Sequence, residues 1–240
     1  MKLVFILGDK DKIASDFYIS QYPVTEKEFQ EVVGGRLGHL DLESEKQIKK
    51  ATWMEAVKYC NLLNTKNMLP KAYDENTGLL VDENGNPITR EPLLVNGIVS
   101  HEIAYVKVKG FRLPTSPEWE YAAKGCNQGK KCGDYHKILE KTFKNHYDPN
   151  REVFLNGPSN TDDLEANTLG LFGMLGNARE WYGENETYYA GKNTQCFWEE
   201  YYYTYDDLAL QVARKKCGDS NRCAFRVVIN DGAFVAGRWK

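Results

Sequence analysis

Residues Phe111–Gly125, FRLPTSPEWEYAAKG, place a strand end, a helix start and a helix stop within one short run. Thr115 with Glu118 forms a capping box, in which the hydroxyl accepts from the third helical N–H and the carboxylate reaches back to the cap's own N–H. Pro117 suits the first turn, where no intrahelical donor is lost, and Ser116 competes with Thr115 as the cap. Trp119, Ala122 and Ala123 share one face at helical spacing, and Gly125 follows as a stop. Two further boxes, Thr25/Glu28 and Thr52/Glu55, open two more helices. The first carries Phe29, Val32 and Val33 and stops at Gly34-Gly35. The second carries Ala56, Val57, Cys60 and Leu63 and ends near Asn64. Capping acts on helix ends and carries no chemistry, so all three helices read as structural.

Strands fill the rest. Asp16–Ser20 and Ala224–Ile229 read as strands, the latter closing the fold, and Ile103–Val108 is a β-rich stretch leading into Phe111. Leu79–Val81 and Pro87–Thr89 flank Asp82-Glu83-Asn84-Gly85-Asn86, whose Asn-Gly pair suits a tight hairpin turn. The Phe29, Trp53 and Trp119 faces are expected to pack against a small antiparallel sheet. Residues 127–167 hold no persistent period. Their aromatic and aliphatic residues favour long ordered loops over a disordered linker.

Composition narrows the function. A chain of 240 residues with 42% hydrophobic content can bury a full core, and residues 1–240 read as a single domain. A net charge of −3 with interspersed signs offers no polybasic field for nucleic acid. The apolar start Leu3–Leu7 is too short for a signal-peptide core or a membrane span. A cytoplasmic protein with reduced thiols is therefore expected from its six cysteines. No Ser-His-Asp order, phosphate-cradling loop or HExxH motif is present.

Leu169–Trp181, LGLFGMLGNAREW, implies a tight buried turn through its glycines 170, 173 and 176, anchored by Trp181. An aromatic run follows: Tyr182, Tyr188, Tyr189, Phe197, Trp198, Tyr201, Tyr202, Tyr203 and Tyr205. One core strand cannot bury such a density, so part of it is expected to face a ligand; packing between loops is the alternative. Cys126/Cys132 and Cys217/Cys223 each have five residues between them, a poor match to structural zinc. Neighbouring lysines would lower thiol pKa values, whereas ordinary unpaired cysteine is the plain alternative.

Taken in order, FYISQYPVTEKEF, FRLPTSPEWEYAAKG, CGDY, NTLGLFGMLGNAREW and AFRVV resemble the successive motifs of the formylglycine-generating enzyme, or sulfatase-modifying-factor, family, over roughly Phe17 to Val228. The resemblance implies an α+β, C-type-lectin-like fold with a small twisted antiparallel sheet, few helices and many long loops. That family contains oxidases, sulfoxide-forming enzymes of thiol-histidine synthesis, and non-catalytic binding domains, some diversified by retroelements.

The resemblance also implies sites, and several are altered here. Its oxidases bind copper(I) through a late cysteine pair with four intervening residues, a spacing absent from this sequence. Cys196, Cys217 and Cys223 are the copper-binding thiols under the enzyme alternative, which would convert a sulfatase cysteine to formylglycine. Relatives carry Asp or Asn where Gly173 stands and use it for calcium. Here Glu180 and the backbone of Gly176 and Ala178 are left as a reduced calcium site. The Arg-Gly-Gly-Ser-Trp block before the last strand is missing, and the four histidines, His39, His101, His136 and His146, show no iron-binding pairing. The expected function is therefore non-catalytic binding of a protein or small-molecule ligand through Tyr188, Tyr189, Trp198, Tyr201, Tyr202, Tyr203 and Tyr205, as in a variable protein. No cofactor is certain.

Overall fold

The computed structural model describes residues 1–8, 15–34, 46–88, 93–95, 98–100, 108–125, 147–148, 153–154, 161, 166–174, 180–181, 183, 189–190 and 222–233. All three capping boxes form. Helices α1 (Glu26–Val33), α2 (Trp53–Lys66) and α3 (Ser116–Ala123) each begin after a threonine whose side chain accepts from the N3 amide, with the N3 glutamate bonded back to the cap. Thr115, not Ser116, caps α3. Helix α1 stops where Gly34 turns left-handed, and α2 runs two residues past the expected Asn64, to Lys66.

The strands are β1 (Leu3–Ile6), β2 (Phe17–Ser20), β3 (Leu93–Val95), β4 (Ile98–Ser100), β5 (Tyr147–Asp148), β6 (Val153–Phe154), β7 (Glu180–Trp181), β8 (Tyr189–Ala190) and β9 (Val228–Asn230). A three-stranded antiparallel sheet runs in the order β1-β2-β9, with β3-β4, β5-β6 and β7-β8 as small pairs. The register sets Val4 opposite Ile19 and Ile19 opposite Val228, while Phe5 meets Tyr18 and Tyr18 meets Ile229. Because side groups alternate across a strand, these two rows lie on opposite faces.

Each face has its own apolar layer. On one, Ile6, Phe17, Ile19 and Val228 pack with Trp119, Ala122 and Ala123 of α3 and with Leu171 and Met174. On the other, Val227 and Ile229 join Trp53, Ala56, Val57, Tyr59, Cys60 and Leu63 of α2, with Phe29 and Val32 of α1 packed alongside. The helices thus pack against the small sheet as expected, with α1 and α2 on one face and α3 on the other. Phe29 stacks on Tyr59 at 5.5 Å, and both meet the edge of Phe225. The fold is α+β.

Three strand expectations need correction. Leu3–Ile6, treated only as an apolar start, is an edge strand of the sheet. Leu79–Val81 and Pro87–Ile88 do pair around the Asn84-Gly85 turn, through the Val81 to Pro87 bridge and the Ile88 N–H to Leu80 O bond at 2.8 Å, but as an isolated bridge rather than as strands, with Leu80 also bridging Tyr73 and Thr89 outside the described residues. A proline has no N–H to extend the pairing into a ladder. The closing segment is regular only over Val228–Asn230. Upstream its residues serve different neighbours: Cys223 pairs with Ala51, Ala224 with Glu180, and Phe225 O accepts from Val24 N. Of the β-rich stretch 103–108, only Val108 is described, and it is buried.

Candidate functional site

The two ends of the segment between Trp181 and Arg222 are held together as a closed stem. Trp181 N–H donates to Ala224 O at 3.0 Å, which joins its two ends directly. The Trp181 indole Nε1–H also donates to Ala51 O at 2.7 Å, and Cys223 N–H donates to the same oxygen at 2.9 Å. Ala51 N–H in turn donates to Cys223 O at 2.9 Å. Both ends therefore converge on one carbonyl, immediately before the Thr52 cap of α2. At the outgoing end Gly183 N–H donates to Pro114 O at 2.9 Å, against the FRLP segment. A Cβ at Gly183 would lie 3.0 Å from Leu113 O, so the backbone passes too close for a larger residue without a shift. At the return end the exposed Arg222 meets Glu55 at 3.1 Å and Lys50 O at 3.2 Å.

Buried charge fixes that stem. Arg226 and Glu180 are almost fully buried, and Arg226 Nε donates to Glu180 Oε1 at 3.0 Å and Oε2 at 2.9 Å. The remaining guanidinium nitrogens donate to the carbonyls of Ser20, Gln21 and Phe172. The Trp119 indole on α3 completes the carboxylate's shell, donating to Glu180 Oε2 at 2.8 Å. One pair thus ties β2, β7, α3 and the loop at Phe172 together. A buried charge pair is tolerated only where such hydrogen bonds surround it.

A second pair sits nearby. Arg112 Nη1 and Nη2 donate to the two oxygens of Glu118, each at 2.7 Å, and Nη2 also donates to Asn230 Oδ1 at 2.8 Å. Glu118 is at once the capping-box carboxylate of α3 and the partner of this arginine. Burial alone would raise its pKa, but the Arg112 charge and hydrogen bonds, with the Thr115 contacts, hold it below the usual carboxylate range. The far end of α3 is closed by Asn167, whose Nδ2 donates to Ala122 O at 2.7 Å while its Oδ1 accepts from the Leu169 and Leu171 amides. In the same loop Gly173 has a left-handed backbone, φ 67°. That conformation is open to glycine at no steric cost, and Asn and Asp tolerate it best among the other residues.

The sequence-derived site residues fall into two groups. Tyr189 lies in β8, directly opposite Trp181 of β7, so that member of the aromatic run is paired to the stem. Tyr188, Trp198, Tyr201, Tyr202, Tyr203 and Tyr205, with Cys196, Cys217, Gly176, Ala178 and the four histidines, lie outside the described residues. Glu180 is buried, with both oxygens engaged by Arg226 and Trp119. Cys223 is buried in the α2-side apolar layer. Cys60 lies in the same layer, and burial pushes its thiol far up, away from nucleophile chemistry. Among the described residues no group of three or more His, Cys, Asp or Glu is gathered to hold a metal ion. Nor is any described helix long and apolar enough to cross a membrane.

This geometry is that of the formylglycine-generating-enzyme-like, C-type-lectin-like class. A family model for the sulfatase-modifying factor enzyme 1-like domain matches residues 9–230, and the chain belongs to that family. Chaperone protein LppX of Paenibacillus barcinonensis is 30% identical over 198 residues, covering 72% of this chain and 64% of its own length. The formylglycine-generating enzyme of Mycobacterium tuberculosis is 31% identical over 109 residues, 42% of this chain and 34% of its own. The protein thus spans less than two thirds of the length of either curated relative. Among solved structures, Treponema denticola variable protein 1 superposes with a TM-score of 0.55 at 21% identity, covering 95% of this chain and 94% of that one. CarF does so with a TM-score of 0.50 at 20% identity, covering 96% and 94%. At these identities the two structures speak for the fold.

Proposed function

We propose that this domain is a non-catalytic binding module that presents the aromatic run, Tyr188, Tyr189, Trp198, Tyr201, Tyr202, Tyr203 and Tyr205, to a protein or small-molecule ligand. The observation that carries the reading is the closure of the stem: both ends of the segment meet at Ala51 O, beside a fully hydrogen-bonded buried ion pair. A loop held at such a stem can vary its tip without disturbing the sheet, which is how binding loops are displayed on a scaffold. Tyrosine and tryptophan suit the role, because they offer large contact area with only two side-chain torsions to freeze. A relative named as a chaperone and a structure named as a variable protein are compatible with binding rather than turnover.

The rival reading is a copper-dependent oxidase acting on a sulfatase cysteine through Cys196, Cys217 and Cys223. Two features weigh against it. The thiol spacing differs from that of the oxidases, and Cys223 is built into the apolar core by its paired hydrogen bonds to Ala51. Calcium is disfavoured at Glu180, because the carboxylate already balances its charge against Arg226. Purified protein titrated with copper(I), then supplied with oxygen and a cysteine-containing sulfatase peptide, is expected to show neither stoichiometric tight binding nor formylglycine by mass spectrometry. Stoichiometric copper with turnover would reverse the assignment.

A further inference from the structure

We propose that Asn84 is a site of spontaneous backbone modification whose rate is held down by Asp82. Asn84 and Gly85 are both exposed, and Gly85 carries no side chain to crowd the bond, with nothing within 4 Å of where its Cβ would stand. Gly85 has φ +84°, the left-handed conformation that closes the turn and that glycine adopts at no steric cost. In an Asn-Gly pair the glycine nitrogen, after losing its proton to a solvent base, attacks the asparagine Cγ. The new C–N bond closes a five-membered imide, and the original carboxamide C–N bond breaks to release ammonia. Water then adds to either imide carbonyl, leaving aspartate or isoaspartate at position 84. No oxidant or reductant is needed.

The turn opposes the first step. Gly85 N–H donates to Asp82 O at 3.0 Å, so the proton that must leave before attack is engaged in a hydrogen bond. Asp82 Oδ1 accepts from the Asn84 and Asn86 amides, each at 2.9 Å, and Asp82 N–H donates to Asn86 O at 2.9 Å, which fixes the loop around Asn84. The hydrogen bonds to the Asn86, Asn84 and Gly85 groups keep the Asp82 carboxyl below its usual range, so it is an anion under the conditions in which the reaction runs. A carboxylate beside the Gly85 amide also discourages removal of that amide's proton. An isoaspartate would add a methylene to the main chain and a negative charge beside Asp82 and Glu83, dismantling the clamp.

The test incubates the full-length protein at mildly alkaline pH, folded and in urea, and follows the Asn84 peptide by mass mapping that separates it from Asn96 and Asn156. Conversion in urea is the reference rate. Native protein is expected to convert at Asn84 about 2–10-fold more slowly, the factor that an ordinary hydrogen bond is worth. Asp82→Ala removes the side-chain contacts but keeps the main-chain bond from Gly85 N–H to Asp82 O, so it is expected to recover part of the difference while the thermal midpoint stays nearly unchanged, and Asn84→Gln to abolish conversion at that position. Equal rates in folded and unfolded wild type, no conversion at Asn84 even in urea, or a folded Asp82→Ala that converts as slowly as wild type would each overturn the proposal.

Discussion

Replacing Arg226 by methionine is expected to destabilise the protein by about 3–5 kcal/mol, because it strands the buried Glu180 carboxylate without its cation. The substitution also removes the donors that hold the carbonyls of Ser20, Gln21 and Phe172, so strand β2 and the 166–174 loop lose a common tether. Glu180→Gln leaves Arg226 without its carboxylate but with the carbonyls of Ser20, Gln21 and Phe172 to donate to, and the amide oxygen still accepts from the Trp119 indole, so it should cost less. The double variant Arg226→Met with Glu180→Gln should recover part of the loss, because no uncompensated charge then remains in the core. Urea unfolding of the three variants reads this directly. A cost below about 1 kcal/mol for Arg226→Met would mean that the pair behaves like a surface ion pair.

Glu118→Gln is the companion experiment and separates two roles of one residue. Glutamine at N3 keeps the capping box, so helix α3 retains its start. Arg112 is then left with Asn230 and the Leu113 carbonyl but without its carboxylate partner. The expected cost at neutral pH is again about 3–5 kcal/mol. The pH dependence has a definite sign. Glu118 has a folded pKa below its unfolded value of about 4.3, so its contribution is fully present above the unfolded pKa. It is lost as pH falls through the lower, folded value. Wild type should therefore lose more stability than Glu118→Gln on acidification below about pH 4.3. Parallel acid losses in unfolding curves at several pH values would show that Glu118 is not held by Arg112.

Local signals were the legible part of this fold. Three threonine caps with a glutamate three residues on are read from four consecutive letters, and each forms as expected. The order of the motifs pointed to the fold class, and the Asn84-Gly85 turn is local too. The buried pairs were not legible, because they join distant residues: Glu180 to Arg226 across 46 positions and Arg112 to Asn230 across 118. Glu118 was visible as a cap but not as an ion-pair partner. The one hint was that Arg112 and Arg226 each stand beside a phenylalanine within an apolar run, where an arginine is costly unless paired. The hairpin expected over Leu79–Thr89 was overstated, since alternation marks strands while Pro87 and the Asp82 clamp decide how far pairing spreads. The aromatic run was conspicuous from composition alone. Its closed stem was not, because the convergence on Ala51 O depends on where a residue far upstream in the sequence is placed by the fold.

The binding assignment requires that the aromatic run serve recognition more than folding. Thermal unfolding of Tyr201→Ala, Tyr202→Ala and Tyr203→Ala separates these roles. A strand would alternate the three rings, so at least one is expected to be exposed, and its removal should leave the midpoint nearly unchanged. A cost of about 3–5 kcal/mol in each of the three variants would show that these rings are core and would contradict the binding assignment.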